Sequence, residues 1–221
     1  MPERNPNLGT AAARKHLRAA DPVLKGIIDS IPPQQLGAAR DGRPDDHYGA
    51  LLRAIVGQQL SVKAARTIFS RLTDRFGGKT PTPQQILDDD PEELRSVGLS
   101  RAKAGYLRSL AEHVVSGELE LERLDELDDE TVIAELVAVK GLGEWTAQMF
   151  LMFHLERPDV LSTGDLGIRN AVKLAYGLTE RPDPTTLTQL AESWRPYRTL
   201  ACLYLWASLD NAPVSDTGDG A

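Results

Sequence analysis

The sequence predicts an all-α protein, and two features of its pattern carry that prediction. Apolar residues recur at spacings of three and four residues, as in Leu107, Leu110, Ala111 and Val114. This spacing puts them on one face of an α-helix, which can then pack against a core. Glycine and proline residues separate such segments at short intervals and mark the loops. Roughly ten helices of about 8 to 15 residues are therefore expected.

The elements follow one another along the chain with one exception to the helical pattern. The first 45 residues hold six prolines and are expected to be loosely organised around one or two helices. Helical spacing then runs from Leu51 to Ile55 and from Ala64 to Leu72, ahead of the helix around Leu107. Leu119 and Leu121 show a brief alternation that is typical of a strand.

The formal net charge of −7 argues at first against a nucleic-acid partner, because phosphate binding needs basic surface. The acidity is local, however. Glu118 to Glu130 holds eight acids and one base, while Asp88 to Glu93 and Asp210 to Asp219 add five and three acids without a base. The remaining residues therefore carry +8. We interpret the acidic blocks as solvated loops or helix N-termini, where acids suit the helix dipole.

Composition excludes several classes of protein. The lone Cys202 rules out an internal disulfide framework and a four-cysteine zinc or iron–sulfur cluster, and it suits a reducing cytosol. The four histidines are scattered without the spacing of metal ligands. No apolar run approaches the roughly 18 residues of a membrane span, and the N-terminal residues lack the apolar segment of a signal peptide. A cytoplasmic protein without a metal or other cofactor is expected.

Residues 136–153 predict two helices joined by a tight hairpin. One helix ends near Val139, Gly141 and Gly143 permit the turn, and an apolar helix begins at about Glu144. The turn amides and the N-terminus of the second helix would present N–H donors, which can hold a phosphate without side-chain charge. Such a site also suits an acidic protein. An ordinary turn between two helices is the alternative interpretation.

Asp165 is a candidate functional carboxylate. It follows Ser162, Thr163 and Gly164 and precedes a helical run from Leu166 to Tyr176. It is therefore expected at a helix N-terminus, where the dipole and the backbone amides hold a carboxylate ionised at neutral pH. Considered alone, an aspartate in such a place is better explained as an N-cap residue.

Four motifs, in order over about residues 48 to 209, resemble those of the helix–hairpin–helix DNA glycosylase superfamily. The first and the last are similar to segments of the DNA-3-methyladenine glycosylase II family, in a short form without the N-terminal β domain. The motifs are Ile55-Val56-Gly57-Gln58-Gln59-Leu60-Ser61, the hairpin Val139 to Gly143 with Glu144-Trp145-Thr146-Ala147, the segment Ser162-Thr163-Gly164-Asp165-Leu166-Gly167, and Trp194-Arg195-Pro196-Tyr197-Arg198 with Leu203, Tyr204 and Trp206.

The resemblance implies two helical lobes with an active-site cleft between them. The central lobe would comprise residues 46–156 and end in the helix–hairpin–helix at 136–153. Residues 1–45 and 157–211 would form the second lobe. The tail at 212–221 is expected to be disordered, because it is small, acidic and glycine-rich. The resemblance also favours a monomer.

The resemblance assigns roles to individual residues. Asp165 would be the catalytic carboxylate, which stabilises positive charge on the deoxyribose as the bond to the base breaks. The hairpin would bind a DNA phosphate, and one monovalent cation on its backbone carbonyls is compatible with the family. The phosphate-binding residues would be Lys140, Gly141, Leu142, Gly143, Glu144 and Trp145, and the base pocket would comprise Trp145, Trp194, Tyr197, Gln58 and Gln59.

Several of these residues have a second interpretation. Trp145 and Trp194 could instead be core residues, and Trp206 is interpreted as core because it lies among leucines. Gln58 and Gln59 could fill the hole left by a flipped base, line the pocket, or simply end a helix before Ser61.

The expected function is a monofunctional glycosylase that excises alkylated bases, such as 3-methyladenine and N7-alkylguanine, from double-stranded DNA. Bifunctional glycosylase-lyases of this superfamily carry a lysine two positions after the second hairpin glycine, where this chain has Trp145. Lyase chemistry through a Schiff base should therefore be absent. The alternatives are a glycosylase of the same fold for deaminated or oxidised bases, and a non-catalytic module that binds DNA lesions.

The charge pattern adds a geometric expectation for a protein that binds DNA. The segment Glu118 to Glu130 should face away from the nucleic acid, and an acidic segment beside the hairpin would contradict the DNA interpretation. The basic residues expected to cluster nearer to the cleft are Lys63, Arg66, Arg101, Lys103, Lys140 and Arg169.

Overall fold

The computed structural model describes residues 10–37 and 44–210. These residues form α-helices and three short 3₁₀ turns without a strand, which confirms the all-α prediction. None of the described helices has the length and apolar character needed to span a bilayer. The helices are α1 Ala11–Ala20, α2 Pro22–Ser30, α3 His47–Gly57, α4 Val62–Arg75, α5 Pro83–Asp88, α6 Pro91–Ser96, α7 Arg101–Ser116, α8 Asp129–Ala138, α9 Glu144–Phe153, α10 Leu166–Ala175, α11 Pro184–Leu190 and α12 Arg198–Asp210.

Side-chain caps explain where most of these helices begin. Ten of them follow a serine, threonine or aspartate whose side chain accepts a hydrogen bond from an amide of the first turn. Such a cap contributes roughly 0.5 to 2 kcal/mol to stability. Helix α9 differs, because its N-cap residue is Gly143 and no side chain caps it. The capping residues are Thr10, Asp21, Asp46, Ser61, Thr82, Asp90, Ser100, Asp128, Asp165 and Asp183.

Two of the acidic blocks lie at helix N-termini. Asp90 caps α6, and Asp128 caps α8, with further acids in the first turn of each helix. Carboxylates are favourable there because the amide ends of the peptide dipoles point toward them. The interpretation of these blocks from the sequence is confirmed. The third acidic block and the tail at 212–221 lie outside the described residues, apart from Asp210 at the end of α12.

The strand-like alternation at Leu119 and Leu121 does not correspond to a strand, so this prediction is wrong. Gly117 ends α7 in the left-handed region at φ 77°, and Leu121–Arg123 then forms a 3₁₀ turn. Leu119, Leu121 and Leu124 are all buried. The alternation arose because an irregular turn sends every second or third residue, each of them a leucine, into the core, which requires no partner strand.

Contacts divide the chain into two units, with boundaries after residues 39 and 155. The first unit contains α1, α2 and α10 to α12, and the second contains α3 to α9. The core of the first unit includes Leu17, Leu24 and Trp194, all without exposed area. The core of the second includes Leu52 and Leu107, likewise without exposed area.

Candidate functional site

The hairpin between α8 and α9 is a tight turn that only glycine permits at position 141. Gly141 has φ 97°, in the left-handed region. A Cβ atom at this position would lie 2.2 Å from Cγ of the Tyr106 ring, which belongs to α7. The amide of Leu142 donates to the carbonyl of Val139 at 3.0 Å, and the Leu142 side chain is buried. The turn is therefore held from two sides, by the ring of Tyr106 and by the buried Leu142.

Gln58 ties this hairpin to the end of α3. Its side-chain Nε2 donates to the carbonyl oxygen of Gly141 at 2.8 Å. Lys103 Nζ donates to the carbonyls of Val56 and Gln58 at 2.8 and 2.7 Å, and burial lowers the pKa of this lysine. Lys103 therefore caps the carbonyl end of α3, and its ammonium is bound to backbone carbonyls of the protein. Gln58 acts in the same way, as a structural tie.

The N-terminus of α9 presents an uncapped first turn next to this hairpin. Gly143, Glu144 and Trp145 are exposed, and so is Lys140 before the turn. Glu144 turns its carboxylate along the helix, where Oε1 accepts from Gln148 Nε2 at 3.0 Å. An anion that approaches this turn would meet backbone amides and the positive end of the helix dipole. This is the arrangement that the sequence predicts for the hairpin.

The acidic segment Glu118 to Glu130 lies at the other end of α3. Asp125 Oδ2 contacts Nε2 of His47, the first residue of α3, at 3.2 Å. His47 Nδ1 in turn contacts His154 Nε2, at the end of α9, at 2.7 Å. The hairpin is bound to Gln58, which follows the last residue of α3. Since α3 has 11 residues, about 16 Å of helix separates the acids from the hairpin.

Asp165 lies in the first unit at the N-terminus of α10. Its Oδ1 accepts from the backbone amide of Ile168 at 2.8 Å and from the indole Nε1 of Trp206 at 2.9 Å. Gly167 makes this contact possible, because a Cβ there would lie 3.0 Å from Asp165 Oδ1 and 3.0 Å from two atoms of the Trp206 ring. The carboxylate is therefore held by one amide and one indole, in a half-buried position.

Trp206 corrects the sequence interpretation that assigned it to the core. Its ring is half-buried and its N–H bonds Asp165 across 41 positions of sequence. Helical spacing among leucines identifies the inward side of α12 but cannot reveal that a carboxylate lies there. The C-terminal segment contains two tryptophans, Trp194 and Trp206, either of which could lie at the site. The sequence interpretation assigned Trp194 to the site and Trp206 to the core.

Trp194 is that other tryptophan, and its assignment to the base pocket is corrected by the structure. The ring has no exposed area, and Nε1 donates to Asp21 Oδ2 at 2.9 Å. The same carboxylate oxygen accepts from the hydroxyl of Tyr176. A fully enclosed ring has no face to offer a base, so Trp194 is a core residue whose polar atom is satisfied by a buried aspartate.

The remaining candidates for base contact differ in exposure. Trp145 is 48% exposed although it is large and apolar. Tyr197 is half-buried and packs edge-on against His16 with the ring centroids 5.4 Å apart. Gln59 is exposed and has φ 57°, which is a left-handed conformation on a residue other than glycine. Among the described residues, no group of three or more His, Cys, Asp or Glu side chains could hold a metal ion.

Comparison with known families identifies the arrangement of hairpin, loop and aspartate. The profile of the HhH-GPD superfamily of base excision DNA repair proteins matches residues 52–196. The chain belongs to this superfamily. The match begins in α3 and includes the hairpin and Asp165, so the expected family is confirmed.

Relatives within the superfamily carry consistent names. A DNA-3-methyladenine glycosylase of Schizosaccharomyces pombe is 39% identical over 88% of this chain and 85% of its own length. A DNA-3-methyladenine glycosylase of Escherichia coli is 30% identical over 78% of this chain, which spans 62% of that relative. The structure of an S. pombe 3-methyladenine DNA glycosylase in complex with abasic DNA has a TM-score of 0.77 and 35% identity, covering 91% of this chain and 98% of that one.

Proposed function

We propose that this HhH-GPD protein is a monofunctional DNA glycosylase that flips alkylated purines out of double-stranded DNA and hydrolyses their glycosidic bond. The observation that carries the proposal is the Asp165 carboxylate, which an amide and the Trp206 indole hold in one orientation. The names of the relatives support the reaction class and the 3-methyladenine type of substrate. We also propose that the protein acts as a monomer, as the family resemblance favours, and that it works in the cytoplasm, where it binds chromosomal DNA.

The proposed chemistry relies on a substrate that is already activated. A purine alkylated at N3 or N7 carries positive charge, so the C1′–N bond can break with its electron pair moving to the base, which leaves neutral. Positive charge then develops on the deoxyribose, and Asp165 would stabilise that charge electrostatically. Water adds to C1′ and loses its proton, to the carboxylate or to solvent.

Trp206 would act as a positioning residue for this carboxylate. A charge-assisted hydrogen bond fixes one oxygen of Asp165, and the amide of Ile168 fixes the same oxygen from a second direction. A preorganised carboxylate stabilises the developing charge without having to rotate during the reaction. Gly167 belongs to this arrangement because its missing side chain lets the indole reach Asp165.

The hairpin would anchor the DNA by one phosphate. The uncapped first turn of α9 offers amides to the phosphate oxygens, and exposed Lys140 would add a positive charge. The acidic segment supports this orientation, since it lies at the opposite end of α3 from the hairpin. A monovalent cation on the hairpin carbonyls remains a prediction, and of these carbonyls Gly141 already accepts from Gln58.

Recognition of the base would use Trp145 and Gln59, two exposed residues near the hydrogen bond between Gln58 and Gly141. Trp145 offers an aromatic face, to which a cationic base is attracted by about 0.5 to 2 kcal/mol. Gln59 is the better candidate to fill the hole left by the flipped nucleotide, because it is exposed whereas Gln58 is bound to Gly141. Unstacking a damaged base costs a few kcal/mol, which an inserted side chain partly offsets.

The decisive experiment compares Asp165→Asn with a matched control, Asp183→Asn. Both aspartates cap a helix by accepting from the third amide at 2.8 Å, and asparagine caps as well as aspartate does. Asp165→Asn should bind alkylated duplex but release 3-methyladenine at least about 100-fold more slowly. Asp183→Asn should release it at the wild-type rate. Undiminished release by Asp165→Asn would overturn the catalytic assignment.

A panel of lesions separates the proposal from its alternatives. Release of 3-methyladenine, 7-methylguanine, hypoxanthine and uracil should be compared on otherwise identical duplexes. We expect the two alkylated purines to be released and the neutral bases to remain. Preferential release of hypoxanthine or uracil would indicate a glycosylase for deaminated bases, and tight binding without any release would indicate a lesion-binding module.

A further inference from the structure

Two arginines and one aromatic ring lie together on the helix pair α3 and α4. The guanidinium carbon of Arg53, on α3, lies 5.7 Å from the centroid of the Phe69 ring. Arg66 precedes Phe69 by three positions on α4, so the two side chains share one face of that helix. Arg53 is half-buried, Arg66 is exposed, and Phe69 is 8% exposed. The buried ring therefore packs against the Arg53 guanidinium and shares a helix face with Arg66.

Neither arginine is neutralised by a carboxylate in the part of the chain that the structure describes. Within residues 10–37 and 44–210, Arg53 and Arg66 form no ion pair, whereas Arg75 of the same helix pairs with both Asp89 and Glu93. Burial lowers the pKa of Arg53, and the positive charge of Arg66 lowers it further. Two like charges, one of them partly desolvated, are unfavourable unless an anion joins them.

The position of Arg53 and Arg66 in the fold indicates which anion would bind them. Arg53 stands six residues before Gln59 on α3, and Arg66 stands five residues after Ser61, the N-cap of α4. At 1.5 Å per residue, both lie within about 9 Å of the loop that carries Gln59. Two further basic side chains lie at this loop: Lys103 donates to the carbonyls of Val56 and Gln58, and Lys63 is exposed in the first turn of α4. The anion would therefore adjoin the loop proposed to insert into the duplex.

We propose that Arg53 and Arg66 form a second phosphate-binding site, which holds a backbone phosphodiester of the DNA next to the nucleotide where Gln59 inserts. This inference rests on the proposed function. Guanidinium groups suit phosphate because their planar N–H donors match its oxygens. The site differs in kind from the hairpin, which would bind a phosphate through backbone amides. The arginine site would hold the duplex next to the loop that carries Gln59, so that the DNA stays bound while a base is unstacked.

The salt dependence of binding tests the site. Each phosphate neutralised by a cationic side chain contributes about 0.9 to the slope of log K against log salt concentration. The probe is a duplex with a stable abasic-site analogue, titrated by fluorescence anisotropy at several salt concentrations. The variants are Arg53→Gln, Arg66→Gln and the double variant. Arg71→Gln is the control, because Arg71 is exposed on α4 about 140° around the helix from Arg66.

The double variant should bind about tenfold more weakly and lose about 0.9 of the slope, while Arg71→Gln behaves as wild type. Arg66→Lys should keep the slope, because the charge remains. Arg66 is exposed, so Arg66→Gln should fold normally and still measure the contribution of the site to the salt slope if Arg53→Gln impairs folding. If the wild type binds and excises but the variants keep its slope, the arginine site is refuted and the glycosylase stands. If the wild type neither binds duplex nor excises, both proposals are refuted.

Discussion

Replacing Trp206 by phenylalanine removes one hydrogen bond from Asp165 and keeps most of the ring. The lost bond joins Nε1 to Asp165 Oδ1 at 2.9 Å. Hydrogen bonds to charged groups contribute about 1.5 to 3 kcal/mol. Both partners are half-buried, which favours the lower end of that range. Since about 1.4 kcal/mol corresponds to a tenfold change in rate, Trp206→Phe should excise about tenfold more slowly.

Trp194→Phe is the matched control for this substitution. It removes the same kind of bond, from Nε1 to Asp21 Oδ2 at 2.9 Å, in the same unit. Trp194 and Asp21 are buried, so this variant should lose about 2 to 3 kcal/mol of unfolding free energy. Its excision rate per folded molecule should stay near the wild-type value, because Asp21 also binds Tyr176, which lies at the opposite end of α10 from Asp165.

The assay is single-turnover release of 3-methyladenine at saturating enzyme, with the folded fraction of each variant measured by thermal unfolding. A slow Trp206→Phe with a nearly unchanged unfolding temperature would support positioning of the carboxylate. If Trp206→Phe excises at the wild-type rate while Asp165→Asn does not, the indole has no positioning role. If Trp194→Phe slows the reaction as much as Trp206→Phe does, the effect is a general loosening of the first unit.

Three further predictions concern the hairpin, a buried carboxylate and the reaction type. Gly141→Ala should lower the unfolding free energy by about 2 kcal/mol or more in urea, because its Cβ would enter the Tyr106 ring at φ 97°, whereas Gly105→Ala should not destabilise. Burial by itself would raise the pKa of Asp21, but hydrogen bonds from side chains and amides outweigh it and hold this pKa below its usual value. The stabilisation is therefore present at neutral pH and is lost as the pH falls below about 4, so wild type and Asp21→Asn should converge in stability on acidification. Borohydride should trap no covalent adduct between the wild type and an abasic duplex, since Trp145 offers no amine.

Each of these predictions has a contrary outcome. Equal stability of the Gly141 and Gly105 variants would mean that the hairpin can shift away from Tyr106 at little cost. A difference between wild type and Asp21→Asn that persists unchanged at pH 3 would show that ionisation of this carboxylate does not contribute to stability. A trapped species on the abasic duplex would identify an amine elsewhere in the chain as a nucleophile and refute the monofunctional assignment.

The sequence predicted the local structure well because local structure depends on neighbours in the chain. Helical spacing and capping residues such as Ser61 and Asp128 identify where helices begin without knowledge of the rest of the molecule. The same reasoning failed at Leu119 and Leu121, since a two-residue alternation can also come from a turn whose leucines point into the core. Periodicity reports which side chains are buried more reliably than it reports the backbone that buries them.

The sequence by itself determined the helical class, the hairpin, the family and the place of Asp165 at the start of a helix, because each depends on a short run of residues in a fixed order. Only the tertiary structure decided which tryptophan accompanies Asp165. Trp194 and Trp206 each donate one N–H to a carboxylate, but one carboxylate is Asp21 in the core and the other is Asp165. These partners are 173 and 41 residues away in sequence. A hydrogen bond depends on distance and direction in space, and spacing along one helix carries neither.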